Sequence, residues 1–229
     1  MLSTKIKNWA EEDRPREKLM RKGVQHLSNS ELIAILLNSG TRNTSAVAVA
    51  QQLLAAVNHD LQRLGKMSVQ EIIKLNIKGV GSARAVAIAA ALELTIRRTA
   101  QQLQGKTIKS TEEAAYFLRM LLQYRKQEMF AVLFLNTTNR VIHFEIISQG
   151  GITSTIADPR VILKKALVHD AVHVILCHNH PSGDTTPSKQ DEIFTSRIKT
   201  AALLMDIHII DHIIVGETGH YSFADNSLM

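Results

Sequence analysis

The chain has 229 residues, a formal net charge of +6 and an apolar fraction of 45%, which suits a soluble protein with one large or two modest hydrophobic cores. Its single cysteine, Cys177, excludes an internal disulfide and a cysteine-rich zinc site and fits a reducing cytoplasm. The first 18 residues lack the apolar segment of a signal peptide, and no apolar run is long enough to span a bilayer. We expect a cytoplasmic protein with no membrane partner, and the sequence indicates no oligomeric state.

The charge is unevenly distributed along the chain. Residues 1–106 hold sixteen Lys and Arg against eight Asp and Glu, a net charge of +8, whereas residues 107–229 hold eleven against thirteen, a net charge of −2. Such asymmetry favours a front half that meets a polyanion and a back half with another task. Solvated helix faces on a basic protein explain the same charge equally well, so charge alone leaves both interpretations open.

The front half has the pattern of short helices. The predicted helical runs are residues 32–37 and 72–75, each after a Ser-x-x-Glu capping box, residues 44–57, and a long Ala-rich run that ends near residue 98. We expect Gly40 to end the first of them. A polar, Gln-rich stretch follows at residues 99–105, and we place a domain boundary there. This predicts a helical domain over residues 1–105.

The back half alternates strands with helices. The predicted helices are residues 110–124, 160–168 and 192–204, and the predicted strands are residues 130–135, 141–147, 171–177 and 207–215. A polar turn at residues 136–140 joins the first two strands. Alternation of this kind predicts a layered α/β domain over residues 106–229.

The most informative stretch is HNHPSGDTTPSKQD at residues 178–191, between a predicted buried strand and a predicted helix. Alternate residues of a strand share a face, so His178 and His180 present their imidazoles to one ion, and Asp191 adds an oxygen from the first helical turn. Two nitrogens and a carboxylate with an open fourth position form the ligand set of a catalytic zinc. Zinc lowers the pKa of a bound water to roughly 7, and a further carboxylate then moves its proton. Ser188 is placed to stabilise the oxyanion of a tetrahedral intermediate.

A purely structural interpretation competes with the metal site. Ser188 also fits a helix N-cap with Asp191 favoured in the first turn, and isolated His-x-His pairs are common. The register of all four residues at the end of a buried strand favours the site, and the cap and the site can coexist. Zinc nucleobase deaminases are excluded, because their second motif needs two cysteines. Five further histidines are expected in the core or on the surface rather than as ligands: His143, His169, His173, His208 and His212.

Residues 178–191 contain His-x-His, then seven residues, Ser, two residues and Asp, and this spacing resembles the JAMM (MPN+) metalloprotease signature. The complete stretch, with its Pro, Gly and Asp residues, is similar to the corresponding stretch of the bacterial RadC family. Further RadC-like stretches extend to residue 223, and residues 9–98 resemble the helical N-terminal region of that family. The resemblance implies an α/β fold whose C-terminal mixed sheet is flanked by helices (JAMM/MPN-like), preceded by a small all-helical domain. One departure is visible, since Val161 follows Arg160 where related sequences usually carry Glu.

The resemblance also implies a fourth catalytic residue, a glutamate at the edge of an early strand, and Glu128 matches that position. The expected reaction is attack of a zinc-activated water on an amide carbonyl of an unknown peptide or protein. Glu128 would act as general base and acid, with Ser188 and zinc stabilising the oxyanion. Two other functions use the same residues: a DNA-binding repair accessory protein with a non-catalytic zinc site, and a zinc nuclease.

A glycine pair between two helical runs of the front half resembles a helix-hairpin-helix motif. Gly79 and Gly81 allow a tight turn close to a phosphate, while Lys78 and Arg84 add positive charge next to the N–H groups of a helix start. Such hairpins bind nucleic acid through its backbone. A plain helix–helix turn also needs glycine, as a C-cap. With the +8 charge, the motif predicts salt-dependent binding of DNA or another polyanion.

Overall fold

The computed structural model describes residues 5–123, 125–150 and 157–229. They form two compact units, one ending at Thr95 and one beginning at Ile96. This division falls inside one helix, α6 (Ser82–Leu103), ten residues before the boundary expected at residue 105. The difference arises because the polar stretch that starts at residue 99 continues the helix to Leu103 instead of forming a linker.

The described part of the N-terminal unit is all-helical. Besides the first part of α6 it contains three 3-10 turns and five helices: Ile6–Asn8, Glu11–Asp13, α1 (Pro15–Lys22), Val24–His26, α2 (Asn29–Leu37), α3 (Ala46–Ala56), α4 (Leu61–Gly65) and α5 (Val69–Lys74). Both predicted capping boxes are confirmed, with Ser28 starting α2 and Ser68 starting α5. The expected end of the first helix at Gly40 is wrong, because Asn38 already leaves the helix with a φ of 68°.

The core of the N-terminal unit is built mainly by α2 and α3. The completely buried side chains of α3 recur at the spacing of one helix face, as Val49, Ala50 and Leu53. α6 is the longest helix of the described residues, with 22 residues. Neither α6 nor any other helix in this part of the chain is both long and apolar enough to cross a membrane.

The C-terminal unit has a five-stranded mixed sheet flanked by helices, which confirms the predicted fold class. After α6 its elements are α7 (Thr111–Leu122), β1 (Met129–Leu135), β2 (Val141–Gln149), α8 (Pro159–Val168), β3 (His173–Asn179), α9 (Lys189–Leu203), β4 (His208–Val215) and β5 (His220–Ser222). The strand order is β2-β1-β3-β4-β5, and the pair β3–β4 is parallel while the other pairs are antiparallel. Tyr124, expected to end α7, lies outside the described residues.

Helices cover both faces of this sheet, which explains why β1 is an uninterrupted apolar run. Alternate residues of β1 join two different cores, with Ala131 and Leu133 in the core that α7 covers. Val132 and Phe134 point to the other face, where α8 and α9 supply the partners. A central strand that is buried on both faces has no solvent-exposed face, so none of its positions favours a polar residue. The predicted ligands His178 and His180 lie at the end of β3, beside β1.

Candidate metal centre

The sheet and α9 bring the predicted metal ligands together. His178 is the last residue but one of β3 and His180 follows the strand, and their Nε2 atoms lie 3.0 Å apart. The first turn of α9 places Asp191 Oδ1 3.5 Å from His178 Nε2. Glu128 precedes β1, which pairs antiparallel with β3 so that Phe130 is opposite His178. One ligand atom each of Glu128, His178 and His180 lies within 4.8 Å of the other two.

The donor set of this cluster fits zinc. His180 Nδ1 lies 2.5 Å from the carbonyl oxygen of Asp184. A carbonyl only accepts hydrogen bonds, so His180 Nδ1 carries a proton, and Nε2 is the ring nitrogen that faces the cluster and would bind a metal. Imidazole nitrogens together with carboxylate oxygens are the ligands of catalytic zinc sites.

A buried chain of hydrogen bonds sets the tautomer of His178. Thr195 Oγ1 donates its one hydrogen to the Asp191 carbonyl oxygen at 2.6 Å, so it must accept from His212 Nδ1, also at 2.6 Å. His212 Nε2 then carries a lone pair and accepts from His178 Nδ1 at 2.9 Å. Because the proton of His178 is on Nδ1, its Nε2 is available to a metal.

Burial controls the ionisation of the site. Burial lowers the pKa of His178 to about 4, although the nearby Asp191 carboxylate opposes this shift. Burial also lowers the pKa of His212 well below its usual range. The pKa of Glu128 is raised, mainly by burial, with His180 acting against the shift and Asp191 adding to it. The rings of His178 and His212 are therefore neutral, and neutrality is what His178 needs to bind a metal. Glu128 is a stronger base than an exposed glutamate.

Ser188 both starts α9 and orients Asp191. Its Oγ accepts the Asp191 N–H at 3.2 Å, while Asp191 Oδ2 accepts the Ser188 N–H at 2.8 Å and the Ser188 hydroxyl at 2.5 Å. This capping box occupies Oδ2 and leaves Oδ1 directed at His178. The predicted N-cap is confirmed, and it coexists with the cluster. An oxyanion contact requires the Ser188 hydroxyl to turn away from Asp191.

Sequence patterns assign no role to Asn179, the residue between the two histidines. Its Oδ1 accepts the Met129 N–H at 2.8 Å, and its Nδ2 donates to the carbonyl oxygens of Arg125 at 3.3 Å and Gln127 at 3.2 Å. These bonds hold the segment that carries Glu128 against β3. The signal in the sequence is an amide that follows His178 at the end of the apolar run of residues 174–177, because a buried amide must find partners for its polar atoms.

His212, expected either in the core or on the surface, lies in the core, and its link to His178 is not predicted from the sequence. Phe223 stacks on the His212 ring with the centroids 4.7 Å apart. The neighbouring Asp211 carboxylate fixes the segment that bears Phe223, because it accepts the Ser222 hydroxyl at 2.8 Å and the Ala224 N–H at 3.0 Å. The Asp-His pair in the middle of the otherwise mostly apolar β4 is the signal in the sequence for this support.

A second histidine cluster lies on the same unit. Ligand atoms of His143, Glu145 and His169 also lie within 4.8 Å of one another. Here, however, Lys165 Nζ lies 2.6 Å from Glu145 Oε1 and pairs with the carboxylate. The cluster is therefore explained by an ion pair beside two stacked imidazoles.

The glycine pair of the N-terminal unit forms the turn between α5 and α6. Gly79 has a φ of 100°, and a Cβ there would come within 2.7 Å of Thr41 Cγ2. Gly81 has open space around the position of a Cβ. Lys78 is exposed next to the turn. Lys78 and Gly81 are thus exposed beside the start of α6, whereas Gly79 is half-buried against Thr41.

Arg84, the fourth predicted contact residue, is used differently. Its guanidinium donates to the carbonyl oxygen of Gly79, to Ser39 Oγ at 2.7 Å and to the carbonyl oxygen of Gly40 at 3.2 Å. These bonds connect the turn to the loop between α2 and α3. Arg84 therefore braces two parts of the unit, a role that no local spacing in the sequence indicates.

Comparison with known proteins identifies the family. A model described as RadC-like JAB domain matches residues 108–228, and a model described as UPF0758 N-terminal matches residues 6–86. The UPF0758 protein of Flavobacterium johnsoniae is 48% identical over 224 residues, which are 97% of this chain and 96% of that protein. Those of Porphyromonas gingivalis (41% over 226 residues, 98% and 99%) and Staphylococcus carnosus (39% over 221 residues, 96% and 96%) are also similar. The resemblance to RadC is confirmed, and the chain belongs to the UPF0758 family with a C-terminal RadC-like JAB domain.

Proposed function

We propose that the C-terminal unit is a zinc-dependent metallopeptidase that cleaves an amide bond of a peptide or protein. The observation that carries the proposal is the convergence of His178, His180 and Asp191 with Glu128 at the end of β3. Membership in a JAB family supports it, since JAB domains typically bind zinc and are often hydrolytic. The buried relay that leaves Nε2 of His178 unprotonated supports it further.

Each residue has a distinct role in this reaction. His178 and His180 would hold the ion through Nε2 and Asp191 through Oδ1. Zinc, when bound, supplies a Lewis acid that polarises a carbonyl and lowers the pKa of water. Glu128 takes the proton of the attacking water and returns it to the leaving amine nitrogen, helped by its raised pKa. The Ser188 hydroxyl donates to the carbonyl oxygen as that atom gains negative charge.

A cleavage assay tests this function against its competitors. Zinc-loaded protein is incubated with a mixed peptide library and, separately, with single- and double-stranded DNA, and new peptide termini are detected by mass spectrometry. We expect new termini with the wild type and intact DNA. The Glu128→Gln variant should retain its zinc and lose activity by about 100-fold or more.

The other outcomes identify the other functions. Cleaved DNA with intact peptides would make the protein a zinc nuclease. No cleavage of either substrate by zinc-loaded wild type would favour an accessory protein with a non-catalytic zinc. Full activity of Glu128→Gln would remove Glu128 from the mechanism.

We infer that the N-terminal unit also binds DNA or another polyanion. The N-terminal unit, which ends at Thr95, holds thirteen Lys and Arg against eight Asp and Glu. This net charge of +5 supports the inference, as do the exposed Lys78 and the open space at Gly81 beside the start of α6. For three phosphate contacts, the affinity for a labelled duplex should fall roughly 40-fold between 50 and 200 mM salt. An affinity unaffected by salt would contradict the inference.

A further inference from the structure

The N-terminal unit contains a cavity of about 530 Å³ between its first segment, the end of α2 and the start of α3. This volume lies in the usual range for small-molecule sites. Five cationic side chains and one carboxylate line it: Lys5, Lys7, Arg14, Arg16, Arg42 and Glu17. A concave wall with a formal charge of +4 raises the local concentration of anions.

Two of the arginines are held in place by neutral partners. Arg14 Nε donates to the carbonyl oxygen of Trp9 at 3.1 Å, and its Nη2 donates to that of Lys7 at 2.9 Å. Arg16 donates to Asn38 Oδ1. Carbonyl and amide oxygens orient a guanidinium without cancelling its charge, so these contacts prepare the arginines for an anion. Glu17 is the one carboxylate among the described lining residues, and its Oε1 lies 3.9 Å from Arg14 Nη1.

The opposite wall is the loop between α2 and α3. The Thr41 N–H donates to the Thr44 carbonyl oxygen at 2.8 Å, and Gly40 packs so closely that a Cβ there would collide with the same oxygen. Ser45 and Ala46, the cap and first residue of α3, line the cavity, and the first turn of α3 contains no acidic residue. The positive end of this helix dipole therefore adds to the charge of the wall.

Arg84 holds this loop in position. Its guanidinium bonds to Ser39 and Gly40, which both line the cavity. The turn that resembles a helix-hairpin-helix motif thus also supports the cavity wall.

The rest of the lining is apolar and lies next to the cations. It is formed by Ile6, Pro15, Ala34 and Ile35. An inorganic anion would leave this surface unused, whereas a ligand with a phosphate and a flat ring system would contact both parts of the cavity.

We propose that this cavity binds a phosphate-bearing nucleotide unit, either a free nucleotide or the phosphorylated end of a nucleic-acid strand. The cationic side chains hold the phosphate and the apolar wall receives the base. The proposal depends on neither the hydrolase function nor the hairpin contacts with DNA, because none of its ligand-binding residues belongs to those sites.

Trp9 provides a nearby fluorescent probe, because it is the single tryptophan of the chain and its carbonyl oxygen accepts a hydrogen bond from Arg14, which lines the cavity. The full-length protein is titrated with AMP, adenosine, inorganic phosphate, and a short single-stranded oligonucleotide with or without a 5′-phosphate. Trp9 fluorescence and isothermal calorimetry report binding. We expect AMP or the phosphorylated oligonucleotide to bind more tightly than adenosine, inorganic phosphate and the 5′-hydroxyl oligonucleotide.

Two variants locate the site. Arg42 is exposed on the cavity loop, so Arg42→Ala should preserve the fold and weaken phosphate-dependent binding about tenfold. Arg63→Ala changes an exposed arginine of α4 outside the cavity and should leave the affinity within about twofold of wild type. Tighter binding of AMP would identify a free nucleotide, and tighter binding of the phosphorylated oligonucleotide a strand end. No binding of any phosphate-bearing probe at millimolar concentration, or equal weakening by both variants, would overturn the proposal.

Discussion

The two units hold their functional side chains in opposite ways. In the C-terminal unit, His178 is 1% exposed, and its orientation is set by completely buried His212 through a hydrogen bond. In the N-terminal unit, the cationic groups line a cavity, and Lys7 and Arg42 among them are exposed. Burial makes the first site dependent on the protonation and bonding of its own partners, whereas the second combines these exposed charges with Arg14 and Arg16, which backbone and amide oxygens hold in place. The two units should therefore respond differently to the same perturbations.

Lowering the pH should produce the largest difference in stability between the two units. The folded-state pKa of His178 is about 4, below the ordinary value of 6.5 expected in the unfolded chain. Between these values the unfolded state binds the proton and the folded state does not, so stability is complete above about pH 6.5 and falls as the pH is lowered toward 4. We expect this group to cost about 3 kcal/mol of unfolding free energy in the metal-free protein between pH 7 and pH 4.

Urea unfolding at the two pH values measures this loss. The His178→Gln variant should lose about 3 kcal/mol less than wild type on acidification, because it lacks the titrating ring. His26→Gln, which changes an exposed histidine of the N-terminal unit, should follow wild type. If wild type and His178→Gln lose the same unfolding free energy between pH 7 and pH 4, the acid sensitivity of the C-terminal unit does not come from His178.

The relay to His178 should control metal affinity. Thr195→Val keeps the shape of the side chain but removes the acceptor for His212 Nδ1, so the tautomer of His178 is no longer set. We expect zinc affinity, measured by competition with a chromogenic chelator, to fall about 10- to 100-fold. Thr195→Ser retains the hydroxyl and should bind zinc within about threefold of wild type. Equal losses in both variants would show that packing, rather than the hydrogen bond, matters at this position.

Asn179 should contribute to the stability of the C-terminal unit and have little effect on its zinc content. Asn179→Ala leaves the buried Met129 N–H without its acceptor and frees the segment before β1. We expect the unfolding free energy to fall by about 2 kcal/mol, measured in urea, with zinc content unchanged. Loss of zinc in this variant would mean that the Glu128 segment, and not only the histidines and Asp191, is needed to hold the ion.

The glycine turn offers a matched pair in the N-terminal unit. Gly79→Ala places a side chain at a φ of 100° and against Thr41, so it should destabilise this unit by about 1–2 kcal/mol. Gly81→Ala meets open space and should change stability by less than about 0.5 kcal/mol. Thermal unfolding compares the two variants. A larger effect at Gly81 would contradict the structural role given to the turn.

The sequence predicts four of the five strands and the histidine pair because their signals are local, whereas β5 has only three residues and shows no pattern of its own. The strand period places His178 and His180 together, and a Ser-x-x-Asp spacing predicts the start of α9 at Ser188. The histidine pair and the start of α9 can both be predicted because the residues concerned are close together in the sequence.

Other parts of the site depend on pairing between distant segments. Glu128 reaches the cluster only because β1 and β3 pair in one register, and resemblance to RadC, rather than its own spacing, identified it. His212 contacts His178 through the parallel pairing of β3 with β4. The cationic cavity joins three segments, and no single spacing describes them.

The metal content of the purified protein tests the central claim most directly. Elemental analysis of wild type is compared with a His178→Ala, His180→Ala double variant whose fold is checked by circular dichroism. Near-stoichiometric zinc in the wild type and its loss from a folded variant is the predicted result. Equal zinc in both proteins, or none in either after growth with zinc, would contradict a metal centre at the end of β3.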